Sequence, residues 1–175
     1  MAVAAAPNHY ELAFESWLID NSVKYTAVDQ HKRTAFGRCK IKSFDFLLYP
    51  DGSKPIIAEV KGKKFHGNSL TKLTGLECWI LLDDITGLMK WQQVFGPSYD
   101  IVFIFAYHFE KIDVETDGRQ IYEFGNQRYL FLAVRFEDYR CFMKVRSPKW
   151  QTVTLGADDF RRFVMPAEKL LKRDS

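Results

Sequence analysis

The sequence predicts an α/β (α+β) fold in the order α-β-β-β-α-β, then β-β-α, with a central mixed sheet flanked by helices. Three observations carry this reading. An amphipathic helix opens the chain, Pro50-Asp51-Gly52-Ser53 turns the next long stretch into a hairpin, and Asp100 to His108 is nearly continuous apolar sequence. Such a run suits a strand buried on both faces.

Asn8 is placed to cap a helix from His9 to about Asp20. Tyr10, Ala13, Phe14, Trp17 and Leu18 recur at helical spacing and form one buried stripe, with Glu11 at its margin and Glu15 nearer solvent. Asn21-Ser22 ends the helix before an alternating strand, Val23 to Val28. A polar link through His31, Lys32, Arg33 and Gly37 leads into a strand from Cys39 to Tyr49, which pairs across the turn with Lys54 to Lys61. Gly62 to Asn68 reads as a polar loop. Ser69 to Phe95 reads as mainly helical, interrupted near Asp83 to Gly87 and stopped by Gly96-Pro97. After the apolar strand, Glu110 to Asn126 is a polar, turn-rich excursion. Arg128 to Phe136 and Tyr139 to Ser147 read as strands, and Ala157 to Lys172 as a closing helix that Pro166 kinks or splits.

With no repeat or linker, residues 1–175 are expected to form one domain, its core about 8–108 and a C-terminal extension about 109–175. The net charge of +3 is too mild to imply nucleic-acid binding by itself. Between Arg38 and Lys64, however, seven cations face only Asp45, Asp51 and Glu59. Cys39, Cys78 and Cys141 are too far apart for a disulfide framework or a zinc site. Met1 to Pro7 lacks the basic start of a signal peptide, and no segment has the length of a membrane span. A cytoplasmic protein with no membrane partner is expected.

The chemistry concentrates around Asp45 and Glu59-Val60-Lys61. Side chains two apart on a strand share a face, so Glu59 and Lys61 point one way while Val60 joins Ile56 and Ala58 on the core side. Pairing about Gly52 sets Asp45 opposite Glu59, and Glu11 can approach from the first helix. Two adjacent carboxylates raise each other's pKa unless a cation lies between them. Mg²⁺ suits that position, because it takes one or two carboxylates and keeps waters for substrate phosphates. It would polarise a phosphodiester and activate water, with Lys61 holding that water or neutralising developing charge and the Val60 carbonyl as a further ligand. The competing interpretation is a surface ion-pair ladder. Against it, Asp45 interrupts the apolar run Phe44-Asp45-Phe46-Leu47-Leu48, where a charge is costly.

Ser43-Phe44-Asp45-Phe46-Leu47-Leu48, a glycine-containing turn and Ile57-Ala58-Glu59-Val60-Lys61 resemble the PD-(D/E)xK nuclease superfamily of Holliday-junction resolvases, restriction endonucleases and phage exonucleases. The resemblance covers roughly Tyr10 to His108. It implies a restriction endonuclease-like core, Asp45 and Glu59 as metal ligands, Lys61 as the catalytic lysine and Glu11 as the helix glutamate. Phe44 stands where the family has proline. The expected activity is Mg²⁺ (or Mn²⁺)-dependent hydrolysis of DNA phosphodiester bonds, the alternative being a nucleic-acid-binding or adaptor domain that keeps the fold. Expected partners are nucleic acid, and either a second copy in a homodimer or another protein.

Secondary candidates for nucleic-acid contact are Lys63, Lys64, His66 and Asn68 after the Glu-x-Lys strand, and Lys90 and Gln93, beside Gln92, on the second long helix. His31-Lys32-Arg33 with Arg38 is a second basic loop. Arg135, Arg140, Lys144, Arg146, Lys149 and Trp150 interleave with aromatics, a pattern that a stacking surface or plain strand alternation would both produce.

Overall fold

The computed structural model describes residues 8–28, 42–172 and the backbone of 35, 36, 39 and 40. The basic segment at His31, Lys32, Arg33 and Arg38 therefore lies outside the described residues. The chain begins with α1 (His9–Asp20), β1 (Lys24–Ala27), a short pair β2 (Ala35–Phe36) and β3 (Cys39–Lys40), β4 (Phe46–Tyr49) and β5 (Ile56–Phe65). It continues through β6 (Ile80–Leu81), α2 (Leu82–Phe95), β7 (Asp100–Phe109), β8 (Tyr122–Phe124) and β9 (Gln127–Arg135). It closes with α3 (Phe136–Phe142), β10 (Lys144–Ser147), β11 (Thr152–Thr154), α4 (Ala157–Phe163), β12 (Met165–Pro166) and a 3₁₀ turn, Ala167–Leu171.

Seven strands make one mixed sheet in the order β1-β4-β5-β7-β9-β12, with β8 paired to β9. Only β5 and β7 run parallel within it; every other described pairing is antiparallel. On one face α1 packs Ala13, Phe14, Trp17 and Leu18 against Phe46, Ile56, Ala58, Val60, Ile104 and Phe131. On the other, Ile85, Leu88 and Trp91 of α2, Phe136 and Tyr139 of α3 and Phe160 of α4 cover Ile57, Phe103, Phe105 and Val134. Each such fully buried side chain contributes about 1.5–3 kcal/mol. The mixed sheet flanked by helices is the predicted architecture.

The first helix has its predicted bounds. The Asn8 side chain accepts the Glu11 backbone N–H at 3.0 Å, and the Asn21 amide donates to the Trp17 carbonyl at 2.8 Å. The hairpin also has its predicted register: Phe46 lies opposite Ala58, Leu47 opposite Ile57 and Leu48 opposite Ile56, around Gly52 at φ +74°. That φ favours glycine.

Four expectations change. Cys39 to Tyr49 is not one strand, because the chain leaves the sheet at Lys42 to Phe44 to meet α2. There the Lys42 carbonyl accepts the Trp91 indole N–H at 2.7 Å, and Phe44 packs edge-on against Trp91. Gly62 to Phe65 is strand, not loop, because β5 pairs with β7 through Phe65 opposite Phe109. Ser69 to Trp79 is coil, with Leu73 and Gly75 at positive φ, and the helix begins where an interruption was expected. Asp83 and Asp84 occupy its first turn, where acids favour a helix start. Tyr139 belongs to α3, whose Phe136 and Tyr139 bury one face three residues apart. Pro166 splits the closing segment as predicted and pairs with Leu132 on the sheet edge, a position that tolerates proline. Residues beyond 108 supply β9 and β12 to the main sheet, and β10-β11-β6 form a second, three-stranded sheet.

Gly62 of β5 lies directly against the Tyr10 ring of α1. A Cβ there would lie 2.1 Å from Cδ2 of Tyr10. Gly62→Ala is expected to cost about 1–3 kcal/mol and to lower Tm by several degrees, with Tyr10→Ala in the same chain recovering part of the loss. Thermal unfolding monitored by circular dichroism checks both.

Candidate active site

The last rung between β4 and β5 is Phe46 opposite Ala58, and Asp45 and Glu59 stand just beyond it. Asp45 is still held by main chain: its N–H donates to the Ala58 carbonyl at 3.3 Å, and its carbonyl accepts the Val28 N–H at 2.9 Å. Its side-chain Oδ2 accepts the Val60 N–H at 2.7 Å, taking the place that a further β4 residue would fill. The N–H and C=O of one strand residue face the same neighbour, so the Val60 carbonyl lies on the Asp45 side of β5.

Glu59 and Lys61 share the face of β5 that meets α2. Lys61 Nζ lies 3.0 Å from Glu59 Oε1 and 2.8 Å from Asp84 Oδ2, so the ammonium bridges two carboxylates. Asp84 sits in the first turn of α2, where Oδ2 also accepts the Leu81 N–H at 3.2 Å and Oδ1 accepts from Lys42 Nζ. Lys42, Ser43, Glu59, Asp84, Gly87 and Leu88 line a cavity of about 10 Å³, room for roughly one water. Glu59 Oε2 is buried and has no hydrogen-bond partner among the described residues.

Burial shapes the electrostatics. Asp45 and Glu59 are each 6% exposed. Burial, then the charges of Glu59 and Glu11, push the Asp45 carboxyl well above its ordinary value, against the pull of the Val60 N–H and Lys61. Glu59 is also raised by burial, opposed by Lys61. Burial would lower Lys61, but Glu59 and Asp84 outweigh it and hold its pKa above the usual lysine value. Asp84 is lowered despite burial, because Lys61 and Lys42 both stabilise its charge.

The predicted residues divide. Asp45, Glu59, Val60 and Lys61 come together. Glu11 stays on α1, where its Oε1 accepts from the Asn8 amide at 2.8 Å while its charge reaches Asp45. Glu15 instead accepts the Tyr25 hydroxyl at 2.9 Å. Lys63 and Lys64 lie on opposite faces of β5 rather than in a loop: Lys63 is buried on the Glu59 side, and Lys64 makes a surface pair with Glu110 at 3.3 Å. His66 is exposed, and the Asn68 side chain accepts from Lys111 Nζ at 2.7 Å, securing its own loop. Lys90 and Gln93 turn away from the buried stripe of α2 that carries Asp84, Gly87, Leu88 and Trp91, and Gln93 is exposed. Phe44 is a packing residue, set edge-on against Trp91. Asp84 and Lys42 went unrecognised in the sequence; the Asp83-Asp84 pair signals a helix start, but nothing local signals its pairing with Lys61.

The donors fit a hard divalent cation. Glu59 Oε2 is a buried carboxylate oxygen with no hydrogen bond among the described residues, the charge of Glu59 reaches the Asp45 carboxyl, and Mg²⁺ commonly takes only one or two protein carboxylates. Among the described residues no group of three or more His, Cys, Asp or Glu side chains is placed to hold a metal, so Glu11 does not complete such a group.

The chain is similar in structure to Hjc, a Holliday junction resolvase from the archaeal hyperthermophile Archaeoglobus fulgidus, with a TM-score of 0.54 over 93% of this chain and 98% of that one. The fold is restriction endonuclease-like. Sequence identity is 9%, so the likeness is one of chain path rather than of residues. No family model and no curated protein matches the sequence. Among the described residues no helix is long and apolar enough to cross a membrane.

A carboxyl whose pKa rises on folding stabilises the protein below its unfolded value and loses that contribution as pH climbs through the folded value. Asp45→Asn keeps an oxygen for the Val60 N–H and removes the charge. It is expected to raise Tm at pH 8, by about 2–4 °C per kcal/mol of relieved charge burial and repulsion. The gain should shrink toward pH 4, near the ordinary Asp value of 3.8, and melts across that range test it.

Proposed function

We propose that this protein is a Mg²⁺- or Mn²⁺-dependent nuclease that hydrolyses phosphodiester bonds of DNA at the Asp45–Glu59–Lys61 cluster. The observation that carries the reading is Glu59 Oε2, a buried carboxylate oxygen with no hydrogen bond among the described residues, on a glutamate whose charge reaches the buried Asp45 and which Lys61 bridges to Asp84. Asp45 and Glu59 would hold the cation, with the Val60 carbonyl on the same edge and Glu11 adding negative charge from behind. When bound, the cation supplies charge neutralisation and activation of water at a phosphodiester.

The chain's own part follows from how Lys61 is held. An ammonium with a raised pKa between Glu59 and Asp84 stays protonated at neutral pH. It serves as a donor and a fixed positive charge for phosphate oxygens, not as a base that removes a proton. Asp84, fixed in α2 and shared with Lys42, is a positioning residue for Lys61. The likeness to Hjc, a Holliday junction resolvase, makes branched DNA the first substrate to try.

Purified protein with Mg²⁺ or Mn²⁺ is expected to cleave at least one of branched, duplex and single-stranded DNA. Lys61→Ala should reduce the rate about 10²–10³-fold, as loss of a transition-state charge partner does, and Asp84→Asn by a smaller factor. No cleavage of any substrate, or cleavage undiminished in Lys61→Ala, sinks the assignment. DNA binding without cleavage would instead favour a binding module that retains the fold. Independently of activity, Mg²⁺ at about 100 times its Kd should stabilise the wild type by about 2.7 kcal/mol, with the Tm rise abolished in Glu59→Gln.

A further inference from the structure

The face of β5 that carries Glu59 and Lys61 continues into basic and aromatic side chains that the reaction above does not use. Lys63 follows Lys61 by two residues and shares its face. Its ammonium lies 3.3 Å from the centre of the Trp79 ring, just ahead of β6. Arg146 of β10 brings its guanidinium to 5.1 Å from the same ring centre. The nearby carboxylate, Glu77, accepts the Trp79 indole N–H at 3.0 Å. Burial lowers the Lys63 pKa to about 8, a sign that water does little to solvate this charge.

The surface extends along the second sheet. In the turn between β10 and β11, Trp150 N–H donates to Ser147 Oγ and Gln151 N–H to the Pro148 carbonyl, each at 3.3 Å, with Gln151 at φ +48°. This built turn holds Trp150 out at 67% exposure, with Lys149 Nζ 5.3 Å from its ring centre. Simple alternation of strand faces does not account for the pattern. Lys144, Val145 and Arg146 are all exposed, and Trp150 lies in the turn. From Tyr139 to Ala157 there are Arg140, Lys144, Arg146 and Lys149 and no Asp or Glu. Of these, Arg140 is engaged by Glu137 at 2.8 Å.

We propose that Arg146, Lys149 and Trp150, backed by the buried Lys63 and by Trp79, bind an unpaired nucleic-acid strand leading away from the carboxylate cluster, Arg146 and Lys149 facing phosphates and the Trp150 indole stacking on a base. The identity of the ligand rests on the nuclease reading. Charge complementarity selects a polyanion. The exposed indole selects an unpaired base, because the flat face it stacks on is hidden inside a duplex. Trp79 does a different job, acting as the spacer against which two cations lie instead of repelling each other across solvent.

The test is binding of a fluorescently labelled oligothymidylate, read by anisotropy in EDTA, where no cleavage intervenes, with a duplex of equal length alongside. Wild type is expected to prefer the single strand. Trp150→Ala should weaken that binding about tenfold, with Trp150→Phe retaining most of it. Arg146→Ala should reduce the slope of log K against log salt by about 0.7, one phosphate contact on a single strand. Unchanged melting curves for the variants show that folding is intact. Absence of single-strand binding, equal affinity for duplex, or wild-type binding by both alanine variants overturns the proposal. Because cleavage plays no part, a protein that binds but never cuts overturns the nuclease reading alone.

Discussion

Ten consecutive residue pairs tie β5 to β7 in parallel, from Ile56 opposite Asp100 to Phe65 opposite Phe109, and this pairing sets the direction of Glu59 and Lys61. A slip of one residue would exchange the two faces of β5. Ile56, Ala58 and Val60 would lose their packing against α1, and Glu59 and Lys61 would be driven into that apolar layer. The sheet thus pins a buried glutamate and lysine where neither would settle by its own solvation. Because the core depends on the same register, the positions of these charges are protected by hydrophobic burial rather than by the charges' own attraction.

The site opens where pairing stops. β4 and β5 stay in register only as far as Phe46 and Ala58, after which the Asp45 side chain, not another backbone group, satisfies the Val60 N–H. This solves one accounting problem and creates another. A buried donor is paired, but a carboxylate is drawn out of water beside Glu59, and its pKa rises. On the α2 side, the bridge from Glu59 through Lys61 and Asp84 to Lys42 answers buried charge with opposite charge. Burying such groups is expensive and adds little net stability compared with an apolar core. An arrangement of this kind is no staple of the fold.

Much of this was legible along the chain because it depends on short-range rules. The Asn8 cap, the spacing of Ala13, Phe14, Trp17 and Leu18, and the turn at Gly52 each act within a few residues, and each appears as expected. The misread segments are those where distant partners decide. Gly62 to Phe65 looks like a polar loop until β7 lies beside it. Lys42 to Phe44 looks like strand until Trp91 and Asp84 draw it off the sheet. Ser69 to Trp79 carries helix-compatible residues but packs Leu70, Leu76 and Cys78 as coil.

The opening helix, the hairpin register that runs to Phe46 opposite Ala58 and leaves Asp45 at its end near Glu59, and the shared face of Glu59 and Lys61 were determined by the sequence alone. Helical spacing, strand alternation and turn chemistry need no information from elsewhere in the chain. The tertiary structure alone decided that Asp84 holds Lys61, that Glu11 acts on Asp45 through its charge, and that Lys63 is a buried strand residue facing Trp79 and Arg146. Those outcomes depend on which elements pack together and how deeply they exclude water. Burial and long-range pairing are properties of the assembled layers and leave no local pattern to read.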